Sequence, residues 1–127
     1  MSTVRVLVWV DHQRARLIEL TNRETRAVRL GSDAPTGTPV PTVSRVATPD
    51  VQSELFESIA ETVAGAVGIV ILGPSNDRQA LLRYLKAHHP SIAKHVIAVE
   101  QMGHVTYTML RTYARTYFRL ADRSRSN

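Results

Sequence analysis

The sequence predicts a single α/β domain of 127 residues with a mixed five-stranded sheet flanked by helices. One observation is the short β-branched run from Gly68 to Leu72, which a Gly-Pro pair closes and which is typical of a buried strand. After that run the period changes, because apolar residues recur at helical spacing from Arg78 to His88. The third observation is a pair of apolar runs, Val4 to Val10 and Ala15 to Leu20, separated by polar residues as in a hairpin.

The remaining elements follow from their periods and their end signals. They are a third strand over 25–30, a proline-rich loop from Gly31 to Pro49, a helix from Thr48-Pro49, a fifth strand over 95–100 and a last helix from Thr106. The resulting order is β-β-β-α-β-α-β-α. A three-stranded meander followed by two right-handed crossovers is the ribonuclease H-like arrangement.

Charge and cysteine content restrict the classes of function. The formal net charge is +5 and the sequence pI is near 10.2, which favours a polyanionic partner such as nucleic acid. Nearly all the positive charge is arginine, whose planar guanidinium suits phosphate and base stacking, although a GC-rich genome would also favour arginine codons. The absence of cysteine excludes disulfides, zinc-thiolate sites and thiol nucleophiles. No apolar run has the length of a membrane span and no signal peptide is recognisable, so we expect a cytoplasmic location and no membrane partner.

The last predicted helix carries the clearest basic pattern. Arg111, Arg115 and Arg119 lie four residues apart and share one face of the helix, and Arg123 extends the line. We predict that this face binds RNA phosphates. The alternative is that these arginines form ion pairs with acidic residues of a neighbouring helix, namely Glu54, Glu57 and Glu61.

Three carboxylates lie just after predicted strands: Asp11, Asp77 and Glu100. Ribonuclease H-like nucleases gather carboxylates at such a sheet edge, because two magnesium ions need oxygen ligands. The alternative is that Asp77 caps a helix, for which Asn76 and Gln79 also have the capping-box spacing, and that Glu100 pairs with an arginine. The histidines match no zinc signature, so the sequence predicts neither a metal site nor a cofactor.

Three stretches resemble a known family. They are Val8-Trp9-Val10-Asp11-His12-Gln13-Arg14-Ala15-Arg16-Leu17, Ile69-Val70-Ile71-Leu72-Gly73-Pro74 and Lys94-His95-Val96-Ile97-Ala98-Val99-Glu100. In this order they resemble the middle domain of archaeal and eukaryotic class I peptide-chain release factors and of the ribosome-rescue protein Pelota. They look most like the stand-alone bacterial relatives called translational machinery proteins.

The resemblance implies a fold and a link to ribosomes or RNA. In release factors a Gly-Gly-Gln triplet in the loop after the third strand supports peptide release, but no such triplet occurs in this sequence. Codon-reading and factor-binding domains are also not recognisable. We therefore predict a ribosome- or RNA-associated protein that is not an enzyme. The alternatives are a metal-dependent nuclease and a homo-oligomeric interaction module that uses an exposed strand edge and the aromatic last helix.

Overall fold

The computed structural model describes residues 4–11, 14–21, 24–31, 49–103 and 105–125, with only the backbone for 49–51 and 119–125. The elements in chain order are β1 (Arg5–Val10), β2 (Arg14–Leu20), β3 (Thr25–Gly31), α1 (Pro49–Val63), β4 (Gly68–Gly73), α2 (Asp77–His88), α3 (Pro90–Ala93), β5 (Val96–Gln101) and α4 (Tyr107–Arg125). The predicted fold class is confirmed, and each predicted strand begins and ends within one residue of the observed one. Most of the predicted loop, residues 32–48, lies outside the described residues.

The sheet has the order β3-β2-β1-β4-β5. β1 pairs with β2 and β2 with β3 in antiparallel register, whereas β4 pairs in parallel with both β1 and β5. The middle strand is thus β1, with β4 as its neighbour. All six residues of β4 are buried, as expected for a parallel strand that helices cover on both faces.

Alternating residues of the inner strands form two apolar clusters on opposite faces of the sheet. Val6, Val8 and Val10 of β1 point toward α1 and α2 together with Leu17 of β2. Leu7 and Trp9 of β1 point the other way, into a cluster with the buried side of α4. The sheet therefore separates α1 and α2 from α4. The alternative of ion pairs with the glutamates of α1 does not apply to Arg111 and Arg115 of α4, because these helices lie on opposite faces.

Glu57 instead joins α1 to the end of α2. Its Oε1 accepts hydrogen bonds from the Tyr84 hydroxyl at 2.7 Å and lies 2.8 Å from Nε2 of His89. The bonds with His89 and Tyr84 lower the pKa of Glu57, and the bond to the carboxylate raises the pKa of Tyr84 to about 12. These hydrogen bonds hold α1 against the carboxyl-terminal end of α2.

The start of α2 differs from the predicted capping box. Asn76 is the N-cap residue, but its side chain makes no capping hydrogen bond, and its φ and ψ are already helical. Its carbonyl oxygen accepts from the amides of Gln79 and Ala80. A side-chain cap requires extended backbone at the N-cap, so the helical conformation of Asn76 prevents the box from forming.

Gly73, the last residue of β4, lies close to the backbone of Val10, the last residue of β1. A Cβ added at this position would lie 2.3 Å from the carbonyl oxygen of Val10, which is backbone and cannot rotate away. The carbonyl oxygen of Gly73 also accepts a 2.8 Å hydrogen bond from the amide of Met102. Glycine at this position therefore allows β1, β4 and the segment after β5 to meet.

We expect Gly73→Ala to destabilise the fold by about 1–3 kcal/mol, because the strands must separate to accept the methyl group. Thermal and urea denaturation measure this difference. Gly103→Ala is the matched control, since a Cβ at Gly103 meets nothing within 4 Å. Equal stability of the two variants would show that the β1 and β4 contact is adaptable.

Candidate nucleic-acid interface

Helix α4 packs on β1 and β2 through Leu110, Ala114 and Phe118, which are all buried. Arg111 and Arg115 each follow a buried residue by one position, so they lie on one flank of this buried side and are exposed. Nε of Arg115 donates a 3.3 Å hydrogen bond to Oγ1 of Thr25 at the start of β3. The arginine flank of α4 is therefore directed toward the outer strand β3.

The opposite flank of α4 is aromatic and faces β5. Tyr113 and Tyr117 are half-buried there, and their rings stack with centroids 5.9 Å apart. Burial, followed by the charge of nearby Glu100, raises the pKa of both phenols. Glu100 therefore lies near the phenols of Tyr113 and Tyr117, on the α4 side of the sheet. One flank of α4 therefore carries arginines and faces β3, whereas the other carries tyrosines and faces β5.

A row of side chains crosses the first three strands beside the arginine flank. Trp9 of β1 is the register partner of Arg16 on β2, which is in turn the partner of Arg29 on β3. The Arg16 guanidinium lies 5.6 Å from the Trp9 ring centroid and 5.3 Å from that of Tyr107. The Arg29 guanidinium lies 4.9 Å from the Tyr107 centroid. Two like charges directly opposite each other normally destabilise a sheet, and the Tyr107 ring offsets this by attracting both cations.

The same row holds the segment that leads into α4. Nε1 of Trp9 donates a hydrogen bond to the carbonyl oxygen of Gly103 at 3.0 Å. Nη1 of Arg16 donates to the carbonyl oxygen of Val105 at 2.9 Å. Both side chains therefore fix the position at which α4 begins, and with it the side of the sheet on which its arginines lie.

We name Arg16, Arg29, Arg111 and Arg115 the arginine surface. The sequence predicted Arg111 and Arg115 as RNA-binding residues, and the structure places both at the edge of α4 nearest β3. The other two predicted residues, Arg119 and Arg123, continue the helix, but their side chains lie outside the described residues. Sequence reasoning missed Arg16 and Arg29. These two residues lie opposite each other on β2 and β3, where Arg16 is half-buried and Arg29 is exposed.

The three carboxylates of the nuclease hypothesis have separate partners. Asp11 accepts from the backbone amide of Arg14 at 2.9 Å and from its Nε at 3.2 Å. Asp77 accepts from Nε2 of Gln52 at 2.7 Å and from Oγ of Ser75 at 2.6 Å, on the α1 and α2 face. Glu100 lies on the α4 face. Within the described residues no three acidic or histidine side chains are grouped so that they could hold a metal ion.

Comparison with solved structures identifies proteins of the same fold. Pelota from Archaeoglobus fulgidus matches 99% of this chain with a TM-score of 0.61 at 15% sequence identity. The fold is that of a segment of Pelota. Pelota from Thermoplasma acidophilum matches 87% of the chain with a TM-score of 0.57 and 15% identity, and the archaeal translation termination factor aRF1 matches 82% with 0.57 and 12%.

These likenesses concern the fold and only part of each relative. The chain spans 37% of the A. fulgidus Pelota and 31% each of the T. acidophilum Pelota and aRF1. No protein-family model and no curated protein matches the sequence. The predicted likeness to Pelota and the release factors is confirmed at the level of fold, whereas the relation to stand-alone bacterial proteins stays a prediction. Among the described residues no helix is long and apolar enough to cross a membrane.

We expect Arg16→Met to loosen the start of α4, because it removes the bond to Val105 and both ring contacts while keeping an apolar stem. The expected loss of stability is about 1–3 kcal/mol. Amide hydrogen exchange should accelerate over 102–110 more than elsewhere. Arg26→Met is the control, since Arg26 lies on β3 and its register partner is Glu19 rather than an aromatic residue. Unchanged exchange over 102–110 would contradict the role given to Arg16.

Proposed function

We propose that this protein is a non-enzymatic, ribosome- or RNA-associated relative of translation termination and rescue factors, and that it binds RNA through the arginine surface. The proposal rests on one observation above all. The structure directs Arg111 and Arg115 toward β3, and Arg29 of β3 and Arg16 of the neighbouring β2 lie on the same face of the sheet. The similar fold of a translation termination factor supports ribosomal RNA as the polyanion.

The charged residues on the α4 side of the sheet support this assignment. On the α4 side of β2 and β3 the alternating positions carry Arg14, Arg16 and Arg29 and no acidic residue. Arg14 is paired with Asp11, whereas the guanidinium groups of Arg16 and Arg29 both lie against the ring of Tyr107. Clustered arginines attract the phosphate backbone, and this attraction supplies most of the non-specific affinity for RNA.

The double variant Arg111→Ala/Arg115→Ala should fold normally and lose ribosome association. Both side chains are exposed, and exposed arginines typically contribute under about 1 kcal/mol to stability. If each contacts one phosphate, the slope of log affinity against log salt should flatten by roughly 0.7 per contact on single-stranded RNA. Co-sedimentation with ribosomes over a salt series measures both effects.

The matched control is Arg83→Ala/Lys86→Ala, which removes the same charge from exposed positions of α2 on the opposite face. It should co-sediment as the parent does. If both double variants weaken association equally, the interaction depends on net charge alone, and the arginine surface is not the binding face.

The non-enzymatic part of the proposal has its own test. The sequence lacks Gly-Gly-Gln, so we expect no release of nascent peptide when the protein is added to stalled ribosomes in stoichiometric amount. A release factor in the same assay is the positive control. Peptide release above the buffer level would contradict this expectation.

The two alternative functions have separate tests. Magnesium-dependent cleavage of the ribosomal RNA in that mixture would favour the nuclease alternative. Light scattering of the free protein tests the homo-oligomer.

A further inference from the structure

The arginine surface contains a feature that phosphate binding does not require. Arg29 is exposed, and its guanidinium lies against the ring of Tyr107, which is only half-exposed. A phosphate contact needs a positive charge but no fixed plane, since a lysine ammonium also binds phosphate, as a point charge. A guanidinium that lies against an aromatic ring is instead restricted in position, because the ring attracts the cation.

The surroundings of this plane suit an unpaired nucleotide. Helix α4 covers β1 and β2, while Ala27 and Arg29 remain exposed on the same face of β3. The small side chain of Ala27 leaves room beside the guanidinium. Arg115 donates a hydrogen bond to Thr25, which lies two residues before Ala27 on β3. Arg115 therefore lies at one end of this exposed strip and Arg29 at the other. Glu24, at the turn before β3, is the adjacent acidic residue in sequence, and the charge of the strip remains positive.

We infer that this strip, Thr25, Ala27 and Arg29 with Arg111 and Arg115, takes a segment of single-stranded RNA, with one base stacked on the Arg29 guanidinium. The phosphates on either side of that base contact the arginines of α4. Bases stack on arginine planes when they are unpaired, whereas the bases of an RNA duplex are stacked on one another and inaccessible. The inference rests on the proposed function and adds the class of RNA and the residue that distinguishes it.

The test uses two labelled probes, an unstructured 12-nucleotide RNA and the same strand annealed to its complement, with affinities measured by fluorescence anisotropy. The Arg29→Ala variant should bind the single strand about 5- to 150-fold more weakly than the parent, because it loses one base stack. The affinity of Arg29→Ala for the duplex should fall less, because there the variant loses one positive charge but no base stack. Arg29→Lys keeps the charge without the plane, so it should retain the parent's salt slope and still lose most of the single-strand affinity.

Arg26→Ala is the matched control, because Arg26 is equally an exposed arginine of β3 but occupies the alternate face, opposite Glu19. It should bind both probes within twofold of the parent. The inference is overturned if Arg29→Ala binds the single strand as Arg26→Ala does, or if Arg29→Lys binds as the parent does, which would indicate a phosphate contact alone.

Ribosome co-sedimentation of the same proteins separates this inference from the proposed function. If the parent co-sediments but does not bind the 12-nucleotide RNA, the single-strand inference is wrong and the proposed function stands. If the parent neither co-sediments nor binds either probe, both are wrong. Circular dichroism of each variant shows whether lost binding reflects lost structure. Should Arg29→Ala unfold, the decision rests on Arg29→Lys, which keeps a cation beside the Tyr107 ring.

Discussion

The burial of β1 and β4 on both faces is the constraint on which the rest of the structure depends. Two adjacent strands with apolar side chains above and below need helices on both sides of the sheet. The helices are thereby sorted into α1 and α2 on one face and α4 on the other. This sorting separates the charged groups as well, because Glu57 and His89 lie on one face and the arginine surface lies on the other.

Much of the fold could be predicted from local sequence. The strands were placed within one residue because β-branched runs and turn residues mark both of their ends. The relation between Asp77 and Glu100 could not be predicted in the same way. Asp77 follows β4 and Glu100 lies near the end of β5, so both reach one edge of the sheet, but a register shift between Ile69 and Val70 alters the pairing of β4 with β5. Val96 and Val99 consequently pack on the same cluster, and simple alternation does not reveal which face Glu100 occupies.

The candidate site was predicted in part, for a different physical reason. Helical spacing alone shows that Arg111 and Arg115 share a face, whereas the direction of that face depends on how α4 is rotated on the sheet. Arg16 and Arg29 were missed because an isolated charge in an alternating strand usually points to solvent. Their common partner, Tyr107, is distant in sequence. The available signal was the hairpin register, which places Trp9 opposite Arg16 and therefore brings a cation onto an aromatic ring.

The aromatic side of this row gives the protein a built-in optical reporter. Trp9 is the single tryptophan of the sequence, it is almost fully buried, and its indole is held between the Gly103 carbonyl and the Arg16 guanidinium. Its emission therefore arises from the junction where the β1 and β2 hairpin fixes the start of α4. Any shift of that junction changes the polarity around one fluorophore. Movements at the base of the arginine surface can thus be followed in the unlabelled protein, without introducing a probe into the sheet.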